Sequence, residues 1–381
     1  MSSSNVTFDH SHYVPILKGK LGELNALKNT DPKLFTKFTP FIEVPPIPNA
    51  YPEDSPPVPA KTIDKHIKDV SASFVKVLTV LPSVFVDAVY IETEDDLKDG
   101  SAPVDALFAA LRKGKVPFVP VIGLDRVEDY ADSVKNALET DKRGCCLRLL
   151  ESDLEGIAEL GGQIDSLLAA LNAKPGSVDL LVDFRAKVPP KAVFPFLIDA
   201  LPRLSEWRTL TVASSSFPSD MSAVGKNKIE EIEREEWLAW IFVRAKQKSM
   251  NKRVPTFADY AINHPVLTEL DPRLMNMSPN IRYTDTLSYV VAKGQAQPRK
   301  KWAKTAEQKA IREQLSPTVQ YPKLSNMIKA HASWKGPQYS WGDKFIDQCS
   351  QKKCVGSATD WRAVGTSHHI AAIVQLIANL P

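Results

Sequence analysis

Cys145-Cys-Leu-Arg-Leu-Leu150 and Asp179-Leu-Leu-Val-Asp-Phe184 carry the clearest statement of architecture in the chain. Each is a short, largely apolar run without the regular polar alternation of a half-exposed strand, the pattern of a strand covered on both faces. On either side of them comparable runs recur at 13–18, 38–44, 85–92, 118–124, 210–214 and 254–261, which makes eight strand candidates. Between them the spacing predicts helices, among them 63–80, with apolar residues at helical intervals, and 227–248, rich in Glu, Lys and Trp. Pro103 marks the first turn of another. Strands that alternate with helices pair in parallel, and no Gly-rich dinucleotide turn follows the first strand. The expectation is therefore an α/β fold, a closed (β/α)8 TIM-like barrel, in preference to an open doubly wound sheet.

The eighth unit departs from the rest. After 254–261 the chain runs through a long segment before its last amphipathic stretch, 370–381, which reads as the final barrel helix. The whole of 1–381 is then one barrel domain, with 262–367 an insertion after strand eight on the C-terminal face. That insertion opens with a candidate hairpin, 281–293. A basic stretch follows, Arg299-Lys-Lys-Trp-Ala-Lys-Thr-Ala-Glu-Gln-Lys-Ala-Ile-Arg312, which reads either as a solvated helix face or as a phosphate-contacting strip with Trp302 available for stacking. The Pro-rich 50–60 reads as an excursion or lid after the second strand.

Composition narrows the function classes. With 381 residues, 43% of them hydrophobic and 24% charged, the chain buries a sizeable core. No apolar run approaches the ~20 residues that span a bilayer. Met1-Ser-Ser-Ser-Asn-Val has neither a basic nor an apolar leader region, so the expectation is a cytoplasmic protein without a membrane partner. A net charge of +3 is too weak a field for nucleic-acid binding by the whole molecule, which leaves only a local strip. The four cysteines, Cys145, Cys146, Cys349 and Cys354, do not form a secreted disulfide framework. A zinc set of Cys349, Cys354 and one histidine lacks the spacing of a finger.

The strand ends carry the functional signal. A strand that only fills a core stops on an apolar or turn residue, whereas these stop on Lys18 and Lys20, Glu43, Glu92, Asp125 with Arg126, Arg148, Asp183 with Arg185, Ser214 to Ser216, and Asp259 with Tyr260. A barrel brings them to one mouth. Two readings follow. In one, the charges balance each other as a structural ion-pair network. In the other, Lys18, Lys20, Arg148 and Arg185 hold an anionic, phosphate-bearing ligand, with Ser214, Ser215 and Asp259 beside it. Glu43, Glu92 and Asp183 then serve as general bases or as ligands of a hard divalent cation such as Mg2+.

The last sixty or so residues are dense in aromatic, small and charged types. Ser340-Trp-Gly-Asp343 precedes the C-x4-C pair, and Trp361-Arg362 precedes Gly365-Thr-Ser-His-His369. Thr366 or Ser367 is expected to cap the final helix and to place His368 and His369 at its N-terminus, where orphan N–H groups favour an anion. Trp361, Arg362 and His369 join the ligand set on this reading, and His368 is the candidate acid or phosphate contact.

The opening Tyr13-Val-Pro-Ile-Leu-Lys-Gly-Lys-Leu-Gly-Glu-Leu-Asn-Ala-Leu, the second-strand Phe38-Thr-Pro-Phe-Ile-Glu-Val44 and the closing Ser340-Trp-Gly-Asp343, Trp361-Arg362 and His368-His369 together resemble the beta-protein family of phages and mobile elements. The resemblance spans almost the whole chain. It implies a prophage or defence context and that both ends belong to one domain, and it supplies no reaction or catalytic residue to carry over.

The leading expectation is thus a phage- or mobile-element-associated barrel that binds an anionic small molecule or nucleotide at its mouth, with phosphoester hydrolysis as the reaction if it is an enzyme. The competing expectation is a non-catalytic module that binds nucleic acid or a phage component through Arg299 to Arg312. An assembly protein that forms stable oligomers without responding to a ligand is the third.

Overall fold

A computed structural model of the chain describes residues 7–53, 55–267, 271, 273 and 276–381. Eight parallel strands close into a barrel surrounded by helices. In chain order they are Tyr13–Leu17, Phe41–Glu43, Val84–Asp87, Phe118–Ile122, Cys145–Leu150, Val178–Asp183, Thr209–Ala213 and Thr256–Asp259, and the last pairs with the first through Tyr13 and Phe257. The apolar runs form strands where expected, with ends shifted by a few residues. The largest shift is at 85–92, where the strand stops at Asp87 and Val89–Ile91 turns into a 3-10 helix, so that Glu92 lies beyond the strand.

Period-two alternation divides each strand between two cores. Val14, Ile16, Phe41, Phe85, Val119, Val121, Cys146, Leu181, Ala213 and Ala258 fill the lumen. Their neighbours, such as Tyr13, Leu17, Ile42, Val86, Leu147 and Val182, pack outward against the helices. At the N-terminal end the lumen is closed by Asp179, held by Arg208 at 2.6 Å and by the Thr209 hydroxyl at 2.7 Å.

The helices start where local chemistry favours it. Ile63–Leu78 is capped by the Thr62 hydroxyl, which accepts from the Lys65 N–H, and Pro103 sits at the first position of Pro103–Lys113. The expected helix at 227–248 begins later. Lys228–Glu233 is a strand that pairs antiparallel with Ser288–Lys293, and the helix runs Glu235–Ser249. The helix propensity of its Lys and Glu residues is overridden because the 281–293 hairpin forms, as Asn280–Thr284 and Ser288–Lys293, and offers an edge.

That three-stranded sheet, with helices Pro317–Ala330 and Trp341–Ser350, builds a cap with its own core of Ile281, Tyr283, Val290, Tyr321, Leu324, Ile346 and Trp361. The final helix runs Ala358–Ala378, so the start expected at 370 is corrected. Ser357 caps it, accepting from the Asp360 N–H while the Asp360 carboxylate accepts from the Ser357 N–H. Its first half belongs to the cap core through Trp361 and Val364, and its second half covers the barrel through Ile370, Ile373, Val374 and Ile377. Among the described residues no helix is long and apolar enough to cross a membrane.

Candidate functional site

The lumen alternation continues past the apolar layers into charge. Two residues beyond Ile16, Phe41, Phe85, Cys146, Leu181 and Ala258 come Lys18, Glu43, Asp87, Arg148, Asp183 and Tyr260, all buried. Arg148 is their centre. Its Nη1 donates to Asp87 at 2.8 Å and its Nε to Asp183 at 3.0 Å, while its Nη2 reaches Asp183, Glu43 at 2.8 Å and the Tyr260 hydroxyl at 2.8 Å. Lys18 binds Glu43 and the Pro265 carbonyl. Arg126 approaches Asp87 at 3.4 Å from outside the ring. Three cations thus face three carboxylates, and the set is charge-balanced. Burial raises the Asp87 carboxyl, but Arg126 and Arg148 outweigh it and hold it below the ordinary range.

Of the strand-end residues, Lys18, Glu43, Arg148, Asp183 and Tyr260 meet at this centre, which also holds Asp87, a residue the strand-end reading missed. The step of two from Phe85 is the signal that finds it. The balance also changes what the centre can do. Asp87, Asp183 and Glu43 converge on a guanidinium, which occupies the position that a divalent cation bridging them would need. Among the described residues no group of three or more His, Cys, Asp and Glu side chains is placed to hold a metal ion.

Around this floor lies a rim of a different kind. Arg185, directly past strand six, adopts a left-handed conformation with φ 51°, its amide donating to Asp183 at 2.9 Å. Its Nε is buried without a partner among the described residues. Arg362 lays its stem on Gly22, just after strand one, where a Cβ would meet the arginine at 2.9 Å. Arg282 reaches from the cap hairpin to the Ile262 carbonyl at 2.7 Å, just after strand eight. Burial pushes the guanidinium pKa down at both Arg282 and Arg362, with Glu23 opposing the shift at Arg362. Burial likewise raises the Glu92 carboxyl, whose Oε2 is another buried atom without a partner. Tyr90 is pushed up to about 12 by burial and by Glu43.

The remaining site candidates lie elsewhere. Lys20 is exposed, and its backbone N–H donates to Glu23 at the start of helix Leu21–Lys28. Ser214 is buried at the end of strand seven, and the Ser215 hydroxyl accepts from the Phe217 N–H at 3.1 Å, as a turn former does. Asp259 points away from the lumen. Its carboxylate receives the Tyr13 hydroxyl at 2.5 Å and His369 Nε2 at 3.0 Å, with Arg234 at 3.7 Å. Trp361 stacks on Tyr321 at 4.4 Å in the cap core.

The two histidines are therefore not at a helix N-terminus. Both are fully buried in the middle of the last helix, because that helix starts at Ala358. His368 Nδ1 meets Asp343 at 2.9 Å and its Nε2 meets the Thr284 carbonyl at 2.8 Å, so both nitrogens face acceptors. His369 Nδ1 meets the Thr284 hydroxyl at 2.8 Å. Adjacent side chains on one helix thus hold the cap on one side and the barrel on the other. Cys349 and Cys354 donate to the Val355 and Phe345 carbonyls within the cap, away from both rings.

The profile of the family described as Beta protein matches residues 13–375. The chain belongs to the Beta protein family. The match reaches from the first barrel strand into the last helix, so membership extends over barrel and cap together. No curated protein matches the chain.

Proposed function

We propose that the barrel mouth binds an anionic, phosphate-bearing ligand, seated on the rim above the charge-balanced floor. One observation carries the reading: Arg185, Arg282 and Arg362 are half-buried at the C-terminal face, and no carboxylate lies within ion-pair distance of any of them among the described residues. Half-buried guanidinium groups with no carboxylate in ion-pair contact are costly, and an anion offsets that cost with charge-assisted hydrogen bonds. Arg148, each of whose three side-chain nitrogens is bound within the ring, positions the floor instead of the ligand. For phosphoester hydrolysis, Glu92 is the carboxylate placed to move a proton, since Glu43 and Asp183 are committed to Lys18 and Arg148.

The test is calorimetric titration with inorganic phosphate, pyrophosphate and nucleotides. Arg185→Ala and Arg362→Ala should each weaken binding tenfold or more, whereas Asp125→Asn, at an exposed carboxylate, should not. Equal affinity in all three variants sinks the proposal. Glu92→Gln then separates binding from turnover: an enzyme keeps its affinity and loses its rate.

A second reading has its own observation. The strip at Lys300–Trp302 and in helix Ala306–Gln314 is largely solvent-exposed, with the Lys301 side chain 96% accessible and Trp302 44% accessible. Binding of a short oligonucleotide that falls steeply with salt and vanishes on reversing Lys300, Lys301 and Lys304 would assign nucleic acid to this strip. The mouth variants should leave such binding untouched.

A further inference from the structure

A cavity of about 480 Å3 opens beside the mouth, between helices Leu21–Lys28 and Ile63–Leu78, and none of the charge-balanced ring lines it. That volume lies within the range of small-molecule sites, ~300–1,000 Å3. Its walls are Leu21, Leu24, Pro45, Pro46, Pro48, Val70 and Phe74, so the body of any occupant is apolar. The floor is a close fit. Gly19 turns there with φ +63°, and a Cβ at that position would meet the Glu43 carbonyl at 2.8 Å and Phe74 and Pro45 at 3.1 Å. Only glycine lets the chain leave strand one this close to the second strand.

Two polar features give the cavity a chemical preference. His66 lines it and is buried, with 1% exposure. Its Nε2 faces the Pro45 carbonyl at 2.8 Å, and a carbonyl only accepts, so the ring proton sits on Nε2 and Nδ1 presents a lone pair. That Nδ1 is buried and has no partner among the described residues. Burial lowers the His66 pKa, which favours the same neutral ring. At the lip, Lys61 meets Asp69 at 3.0 Å, and Lys65, outside the lining, meets the same carboxylate at 2.7 Å. Local charge is therefore positive.

We infer that this cavity is a binding site for a small organic anion with an apolar body and an N–H or O–H donor, the donor meeting His66 Nδ1 and the anionic group meeting Lys61 at the lip. Each part answers a separate feature of the walls: proline and phenylalanine surfaces for the body, an orphan acceptor for the donor, and excess positive charge for the anion. The site is independent of the mouth reading.

The probe is 8-anilinonaphthalene-1-sulfonate, which carries a sulfonate, two aromatic units and one N–H, titrated into the full chain and followed by fluorescence. One saturable site is expected. Leu21→Glu, at a lip residue that is 62% exposed, and Ser73→Trp, at an exposed position on the wall, should each weaken it tenfold or more without lowering the melting temperature. The N-methylated dye, which lacks the donor, should bind more weakly than the parent, and the 15N resonance of His66 Nδ1 should move with the parent dye. Arg185→Ala should bind the dye as the wild type does, so failure at the mouth and failure here are separable. Dye binding that ignores both Leu21→Glu and Ser73→Trp, or a His66 resonance that stays in place at saturation, would overturn the inference.

Discussion

The barrel mouth and the junction beneath the cap both bury carboxylates, but they hold them with different partners. At the mouth, Glu43, Asp87 and Asp183 are bound by the ammonium of Lys18 and the guanidiniums of Arg126 and Arg148. At the junction, Asp343 and Asp259 meet the imidazoles of His368 and His369, with Arg234 a more distant partner of Asp259. The first arrangement is a brace across four strands. The second rests on imidazoles, and burial lowers the pKa of one of them, His369; it lies where the last helix passes from cap to barrel. Barrel closure and cap attachment therefore answer to different conditions.

Arg148→Met strikes hardest at the brace. It removes the cation shared by three buried carboxylates, and removal of one partner from such a network costs about 3–5 kcal/mol. Denaturant unfolding should show a loss of that size, and a loss below about 1 kcal/mol would mean that the ring does not brace the barrel.

Acidification separates the two regions. Burial lowers the pKa of His369, and it lowers that of His12, at the far end of the barrel, from 6.5 to about 4. A group with a depressed folded pKa contributes stability that is present above its unfolded value and lost as pH falls toward the folded value. His12 alone accounts for about 3 kcal/mol between pH 6.5 and 4, and His369 adds to it in the same direction. Asp87, also depressed, keeps its contribution until the pH drops below 3.8. Stability should therefore fall between pH 6.5 and 4 while Asp87 keeps its contribution. A His12→Phe variant whose pH profile matches the wild type would contradict this.

A smaller effect is expected from Asp343→Asn, on the junction side. The amide keeps its shape beside Tyr283 and Ser340 but loses the carboxylate facing His368, a change of about 1–3 kcal/mol, read as a shift in unfolding midpoint. Smallest of all, and outside both regions, reversing Lys300, Lys301 and Lys304 to Glu changes stability by less than about 0.5 kcal/mol per site, because these side chains lie on the solvated surface. The melting temperature checks it, and a large drop would show that the strip is packed against something it needs.

Much of this molecule is legible in its amino-acid sequence. Eight runs such as Cys145–Leu150 have the pattern of strands covered on both faces, and helices between them force parallel pairing. Lys18, Glu43, Arg148 and Asp183 are readable as one centre because barrel strands deliver their ends to one face. Tyr260 stands among the strand ends beside Asp259, and Asp87 is legible too, through the alternation from Phe85, but only once the end of that strand is known to a residue. At 85–92 the apolar run outlasts the strand, and Glu92 takes the place that belongs to Asp87.

Other features have no local signal. Lys228–Glu233 has the composition of a helix and becomes a strand because a hairpin sixty or so residues away offers it an edge. His368 and His369 look like the first residues of a helix and sit in its middle, since the competing cap at Ser357 is completed by Asp360 and carries the helix onto the cap core. Asp259 and Tyr260 are neighbours in sequence yet serve the outer junction and the inner ring, because successive side chains on a strand face opposite ways.

Period and composition suffice for the barrel, since the burial of apolar runs leaves few alternatives. Which charge meets which is settled only in three dimensions. Coulombic pairing depends on distances of a few ångströms between residues as far apart as Glu43 and Arg148 or Asp87 and Arg148, and no spacing in the chain encodes those distances.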